Sequence, residues 1–225
     1  YNVKMRKVDQ YQKWNSMPYK ERSLYKVFNE IDAKCKKNNL PPIISNTAKS
    51  FYRTISETKI SRGKNRIGII AACVYHACKE CNVPRSTSEL AHCFDIDCKI
   101  MTKGCKNFTE IMRMSNIDKK RIQSHKSITI GDFIERFCHK LEIKQVEHIK
   151  SLCELCEKRG LNNDNTPPAM ASGCIYLYCK SLNIDKSKKD ISEVCKISEV
   201  TINKCFKKIE TDKEIIDYLL TISKS

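Results

Sequence analysis

Three sets of residues in this chain have types and spacings that could do chemistry. The first is cysteine. There are fourteen, including the CxxC pairs Cys78–Cys81 and Cys153–Cys156. Two such pairs can supply four thiolates to a tetrahedral zinc ion, but zinc ribbons and fingers keep their pairs within about 12–20 residues and on turns. Here the pairs are far apart and both fall on stretches of helical periodicity. The thiols are therefore expected to act as small apolar side chains, with no metal or other cofactor. The second set is the basic turn Ser61-Arg62-Gly63-Lys64-Asn65-Arg66. With one glycine, and following a helical stretch rather than a strand, it is a poor nucleotide-phosphate loop. Arg62, Lys64 and Arg66 fit either a solvated loop or contact with a DNA backbone or groove. The third set begins at Ser198, a helix-capping residue. Val200, Asn203 and Lys207 follow at spacings of three and four, on one helical face, with Thr201 and Lys204 beside them. A face of that kind can enter a major groove. The amide of Asn203 matches the adenine edge, while Val200 and the Thr201 methyl suit thymine methyl groups. The histidines give no comparable pattern. His76 sits in an apolar run, and His92, His125, His139 and His148 lack a partnered nucleophile or metal spacing, so no enzyme is expected.

Charge narrows the partners. Lys and Arg number 42 against 26 Asp and Glu, a formal net charge of +16, which suits an anionic partner. No run approaches the roughly 18 uninterrupted apolar residues of a membrane span. The opening stretch YNVKMRKVDQ lacks the apolar core of a secretory signal, so reduced thiols and no membrane partner are expected.

The elements that must position these residues are organised by a repeat. Ile67–Lys79 reads IGIIAACVYHACK, without charge from Ile69 to Cys78. A helix apolar on every side belongs in a core, and its small residues let neighbours pack closely. Ala171–Lys180, ASGCIYLYCK, repeats the design: Cys73, Tyr75, Cys78 and Lys79 recur as Cys174, Tyr176, Cys179 and Lys180, each 101 residues on. Self-similarity at this distance reads as two copies of one helical domain around a buried hub helix. Six glycines and six prolines in 225 residues fit helices with short connections.

In chain order, residues 1–17 read as a basic N-terminal extension, with Ser16 as a cap for the helix opened by Pro18. The first repeat covers 18–118. An apolar stripe at Leu24, Val27, Phe28 and Ile31 is broken at Leu40-Pro41-Pro42, and Ile44, Ala48, Phe51, Tyr52 and Ile55 mark the next helix. The basic turn and the hub follow. Ser86-Thr87-Ser88 caps a short helix, and a turn at Asp95–Asp97 leads into a helix from Cys98 to Met114. A linker spans 119–127. The second repeat, 128–210, runs through Ile130–Leu141, a helix ending at Gly160, Thr166 as the cap before Pro167-Pro168, the second hub, and the helix after Ser198. A last amphipathic helix lies in 211–225. Short helix, turn and capped helix at the end of each copy is a helix-turn-helix pattern.

Several strings resemble the core of the transcription factor IIB family. Gly63-Lys64, Ala72-Cys73-Val74-Tyr75 and Val83-Pro84-Arg85 are similar to its first repeat. Gly131-Asp132-Phe133 with Arg136-Phe137-Cys138 is similar to the opening of its second repeat, and Val200-Thr201-Ile202 to the start of its DNA-reading helix. The resemblance implies an all-α fold of two tandem five-helix cyclin-like repeats, each with a buried central helix and a C-terminal helix-turn-helix. It implies a general initiation factor that clamps the TATA-box-binding protein on promoter DNA and helps position RNA polymerase, in the nucleus or a viral factory. Lys79, Lys99 and Lys103 would meet the TATA-box-binding protein. Arg62, Gly63, Lys64 and Arg66 would approach DNA downstream, and Ser198, Val200, Thr201, Asn203, Lys204 and Lys207 upstream. The family's N-terminal zinc ribbon, which docks on polymerase, would need a CxxC pair ahead of Cys73 where none stands, as expected either of a trimmed core or of a member lacking the ribbon. Asn203 stands where animal members have arginine. A cyclin-type kinase regulator shares the architecture, as does the RNA polymerase III factor related to this family. The first would differ by copurifying with a kinase.

Overall fold

The computed structural model describes residues 3–115, 128–161 and 163–222. Among them all regular structure is helical: α1 (Val3–Ser16), α2 (Tyr19–Lys37), α3 (Pro42–Thr58), α4 (Gly63–Glu80), α5 (Thr87–Cys93), α6 (Cys98–Met114), a single 3-10 turn (Gly131–Phe133) running into α7 (Ile134–Lys140), α8 (Val146–Lys158), α9 (Pro167–Ser181), α10 (Lys188–Cys195), α11 (Glu199–Glu210) and α12 (Lys213–Ile222). No helix among the described residues is long and apolar enough to cross a membrane. The chain divides into two compact units, Tyr1–Cys81 with Leu90–Ser124 and Asn82–Glu89 with His125–Ser225. The expected linker, 119–127, lies outside the described residues.

In the first unit α4 is the hub, buried from Gly68 through Val74 and again at His76, Ala77 and Cys78. α6 and α3 pack along it and α2 packs on α3, with Val27, Ile31 and Cys35 buried at four-residue spacing. Glycine decides how closely hub and α6 approach. A Cβ on Gly104 would fall 2.1 Å from the Gly68 carbonyl oxygen, and one on Gly68 would fall 2.8 Å from the Ile100 carbonyl oxygen. In the second unit α9 is the hub, buried from Pro168 to Cys179 except at Tyr176. α11 packs most extensively on it, flanked by α8 and α10. Here the glycine is on the hub: a Cβ on Gly173 would fall 2.6 Å from Cys205 Cβ. α12 packs on α8 and α11 through the buried Ile215 and Leu219.

The repeat extends to the punctuation. Asn82 and Asn183, and Asp95 and Lys196, are left-handed residues 101 apart; asparagine and aspartate tolerate that conformation better than most side chains. The caps recur at the same distance. Ser86 and Glu89 form a reciprocal pair (Glu89 N to Ser86 Oγ 3.0 Å, Ser86 N to Glu89 Oε2 2.8 Å), as do Ser187 and Asp190 (3.2 and 2.9 Å). Asp97 caps α6, accepting from Lys99 N at 3.0 Å, and Ser198 caps α11, accepting from Thr201 N at 3.3 Å.

Residues Val3–Ser16, within the stretch read as a basic N-terminal extension, form a helix, and Trp14 sets its ring edge-on to Tyr25 at 5.7 Å. Two expectations change. Ser16 does not cap α2. It closes α1, donating to the Lys13 carbonyl at 3.0 Å, and Pro18 stands at the N-cap of α2. Thr166 takes the N-cap position of α9 but its hydroxyl makes no capping bond, because Pro167 and Pro168 leave few N–H groups to cap.

The cysteines pack as apolar side chains. Eleven of the fourteen are buried, Cys81 and Cys105 are half-buried, and Cys98 is exposed. Burial pushes the Cys35 and Cys138 thiols up to about 12, and Cys73 well above its ordinary value. A thiol held protonated is a poor metal ligand. Among the described residues no cluster of His, Cys, Asp and Glu is arranged to hold a metal ion.

One ion pair ties together two of the strings singled out in the sequence. Within the second unit Arg136 grips Glu89 with both ends of its guanidinium (Nε–Oε1 3.1 Å, Nη2–Oε2 2.8 Å) and donates from Nη1 to the Pro84 carbonyl at 3.1 Å. Its cation lies over Phe133 and Phe137 at 5.4 and 5.2 Å. The two side chains are 16% and 10% exposed, so this pair is shielded in a way surface pairs are not.

Candidate nucleic-acid interface

The basic turn is shaped by Gly63, whose φ of +56° is left-handed and favours glycine. No atom lies within 4 Å of a Cβ built there, so backbone conformation, not crowding, makes glycine the suitable residue. The turn leaves Arg62 and Lys64 exposed. Arg66 is engaged within the fold. Its Nε donates to Tyr52 Oη at 3.0 Å and its Nη2 to Ser23 Oγ at 2.6 Å and the Ser23 carbonyl at 3.3 Å. Arg66 therefore bolts α4 to α2 and α3, and the exposed cations of the turn are Arg62 and Lys64.

α11 is divided by helical periodicity. Ile202, Cys205, Phe206 and Ile209 are buried, which turns Val200, Lys204 and Lys207 outward; Val200 is 80% exposed. Ser198 caps the helix as expected, and its hydroxyl also meets Thr201 Oγ1 at 2.8 Å. Asn203 is half-buried, and its Oδ1 accepts from Lys188 Nζ at 2.8 Å. Lys208, on the same helix, is committed to Asp164 at 3.0 Å; its ammonium holds that carboxyl below the ordinary value. Lys204 and Lys207 make no such ion pair among the described residues.

In the first unit Lys79 stands at the end of the hub with its ammonium 5.6 Å from the Tyr75 ring centroid. Lys99 and Lys103 are exposed on α6, the helix packed along that hub. Lys106 continues their stripe at the next three-residue step and is also exposed. Two further residues went unnoticed in the sequence. Lys106 had a signal, since it lies three residues beyond Lys103; Lys188 had none short of knowing which helix faces α11.

Two tandem helical units, each wound on a buried hub and closed by a capped helix-turn-helix, define a tandem cyclin-like repeat protein. The model of the transcription factor TFIIB repeat matches it twice, over residues 20–112 and 123–212. The chain belongs to the transcription factor IIB family. It is 40% identical over 215 residues to a transcription initiation factor IIB-like protein of Acanthamoeba polyphaga mimivirus, covering 88% of this chain and 46% of that protein. It is 30% identical to transcription initiation factor IIB of Schizosaccharomyces pombe, covering 88% of this chain and 61% of that one, and 27% identical to that of Methanopyrus kandleri, covering 84% and 60%. The chain thus spans about half to three-fifths of these relatives.

Proposed function

We propose that this chain is the core of a general transcription initiation factor that clamps the TATA-box-binding protein on promoter DNA and helps to position RNA polymerase, without catalysing a reaction itself. The observation that carries the reading is the pairing of the two family repeats with three differently equipped outward surfaces. Lys79, Lys99 and Lys103 offer a cationic surface for the binding protein. Arg62, Gly63 and Lys64 offer a turn for DNA on one side of the TATA element, and Ser198, Val200, Thr201, Asn203, Lys204 and Lys207 a helix for the other. Phosphate neutralisation by the lysines supplies affinity, and the few α11 side chains that can reach base edges supply preference. Arg66 contributes by holding the turn rather than by touching DNA. The similarity to a mimivirus protein supports action in a viral factory, and the similarity to the yeast factor action in a nucleus.

A gel shift with a TATA-element duplex and TATA-box-binding protein, with and without the chain, tests the reading. A slower, salt-sensitive ternary band is expected, with far weaker binding to duplex alone. Equal binding to arbitrary duplex without the binding protein would reject the clamp. Lys79→Glu with Lys103→Glu is expected to weaken the ternary band by about tenfold through charge reversal while leaving thermal unfolding unchanged.

A further inference from the structure

We infer that Lys188 turns Asn203 into a donor-only reader, so that α11 selects guanine over adenine at the base pair it meets. The inference rests on the DNA-reading role proposed above for α11.

An asparagine amide taken alone matches adenine, accepting from N6 and donating to N7. Asn203 is not alone. Lys188 Nζ lies 2.8 Å from its Oδ1. An ammonium group only donates, so the amide atom facing it must be the oxygen, and the two ends of the amide are thereby told apart on chemical grounds. Lys188 is itself held in place. Its Nζ stands 5.1 Å from the Tyr176 ring centroid, and Tyr176 packs edge-on to Phe206 at 5.0 Å, a buried residue of α11 itself. Lys188 also begins α10, directly after its cap Ser187. A cation in a first helical turn is opposed by the helix dipole, which the ring face and the amide oxygen offset. The cation and the amide are therefore parts of one assembly joining α9, α10 and α11.

Two consequences follow for a base approaching Asn203. Nδ2 makes no hydrogen bond among the described residues, so its two N–H groups remain to be given. Oδ1 keeps a second lone pair, but it is already shared with a full positive charge. Two donors on one oxygen, each at roughly 2.9 Å, stand roughly 5 Å apart. The adenine N6 amino group, positive at its hydrogens, would have to take that second place beside the ammonium. Guanine presents O6 and N7, both acceptors, to the same spot. The donors of Nδ2 and the nearby charge of Lys188 then act in the same direction.

The experiment is selection of upstream sequence by the full chain with TATA-box-binding protein, on a duplex pairing a TATA element with a randomised upstream segment. The base pair that loses selection in Asn203→Ala marks the contact. There the unaltered protein is expected to enrich guanine over adenine by about tenfold. Lys188→Met keeps the aliphatic stem and removes the charge, and is expected to shift selection to adenine; its thermal unfolding midpoint reports whether it folds. Asn203→Asp retains an acceptor for Lys188 and deletes both donors, so it is expected to keep the midpoint and lose the guanine choice even if Lys188→Met proves unstable. Adenine selected by the unaltered protein, no base choice at the contact, or the same choice in folded Lys188→Met would each overturn the inference while leaving the DNA-binding role standing. A chain that forms no ternary complex with any duplex would overturn the proposed function, and this inference with it.

Discussion

Both repeats end in a capped helix-turn-helix whose second helix packs most closely on the hub, and the two helices can be laid side by side. In α6 the outward positions hold Lys99, Thr102, Lys103 and Lys106; 101 residues later α11 holds Val200, Asn203, Lys204 and Lys207. Where the first repeat has a lysine, the second has a bare valine, 80% exposed, and where it has Thr102 the second has an amide tethered to Lys188. One face is mainly charge, which attracts any anionic group without discriminating; the other adds apolar and amide groups of the kind that can discriminate. The inward faces differ as well. Gly104 meets Gly68 in the first repeat, whereas Cys205, its counterpart, meets Gly173 in the second. Gly173 lies four residues beyond the counterpart of Gly68, so the closest contact has moved one helical turn along the hub. The caps, turns and hub, which hold the plan constant, recur in register; the seam and the outer face are what vary.

The seam gives the largest expected effects. Gly104→Ala drives a Cβ into backbone in the first unit and should cost about 3 kcal/mol or more. Gly173→Ala meets a side-chain Cβ and should cost the second unit about 2 kcal/mol, largely restored by adding Cys205→Gly, which makes room at the seam. Denaturant unfolding reads both. A cost below about 1 kcal/mol for Gly104→Ala would show that the seam can open without penalty, and the contrast between repeats would lose its physical basis.

Next come the counterpart capping residues Glu89 and Asp190. Glu89→Ala leaves Arg136 without its shielded partner and should cost about 3 kcal/mol. Asp190→Ala, at an exposed site, should cost much less. Ser187 hydrogen bonds hold the Asp190 carboxyl below its ordinary 3.8, so its contribution is present above that value and fades as pH falls through the lowered one. Equal losses in the two variants would mean that the arginine adds nothing to the cap.

The smallest effects concern the hub thiols. Cys73→Ala and Cys174→Ala should each cost about 1 kcal/mol. Bound zinc lost together with the fold on chelation would contradict the role of the cysteines as packing residues. pH sharpens the point. Cys35 and Cys138, buried near the ends of α2 and α7, are raised by burial from 9.0 to about 12. The unfolded chain ionises these thiols first, so the stability they carry is full below pH 9.0 and declines as pH rises toward about 12. A melting midpoint that stays flat above pH 9.0 would refute this.

Much of this protein was legible in its residues. The hub helices announced themselves because a run without charge from Ile69 to Cys78 can be stable only inside. The second copy followed from the recurrence of Cys73, Tyr75, Cys78 and Lys79, and the cap at Ser198 from a hydroxyl placed just before an apolar period. Each hub and cap depends on residues within a turn or two of each other, and the second copy is the same local string met again, so local order in the sequence is enough to express them. The fate of the long cationic side chains was not legible. Arg62 and Arg66 look alike in the basic turn, yet Arg66 reaches back 43 residues to Ser23 while Arg62 remains exposed. Arg136 finds Glu89 47 residues away, and Lys188 reaches Asn203 across the helix-turn-helix. An arginine or lysine has many rotamers and several possible acceptors, and its partner depends on which helix comes to lie opposite. That choice is made by which helices pack together, so tertiary structure decided which cations hold the fold, which stay exposed, and what the Asn203 amide can offer.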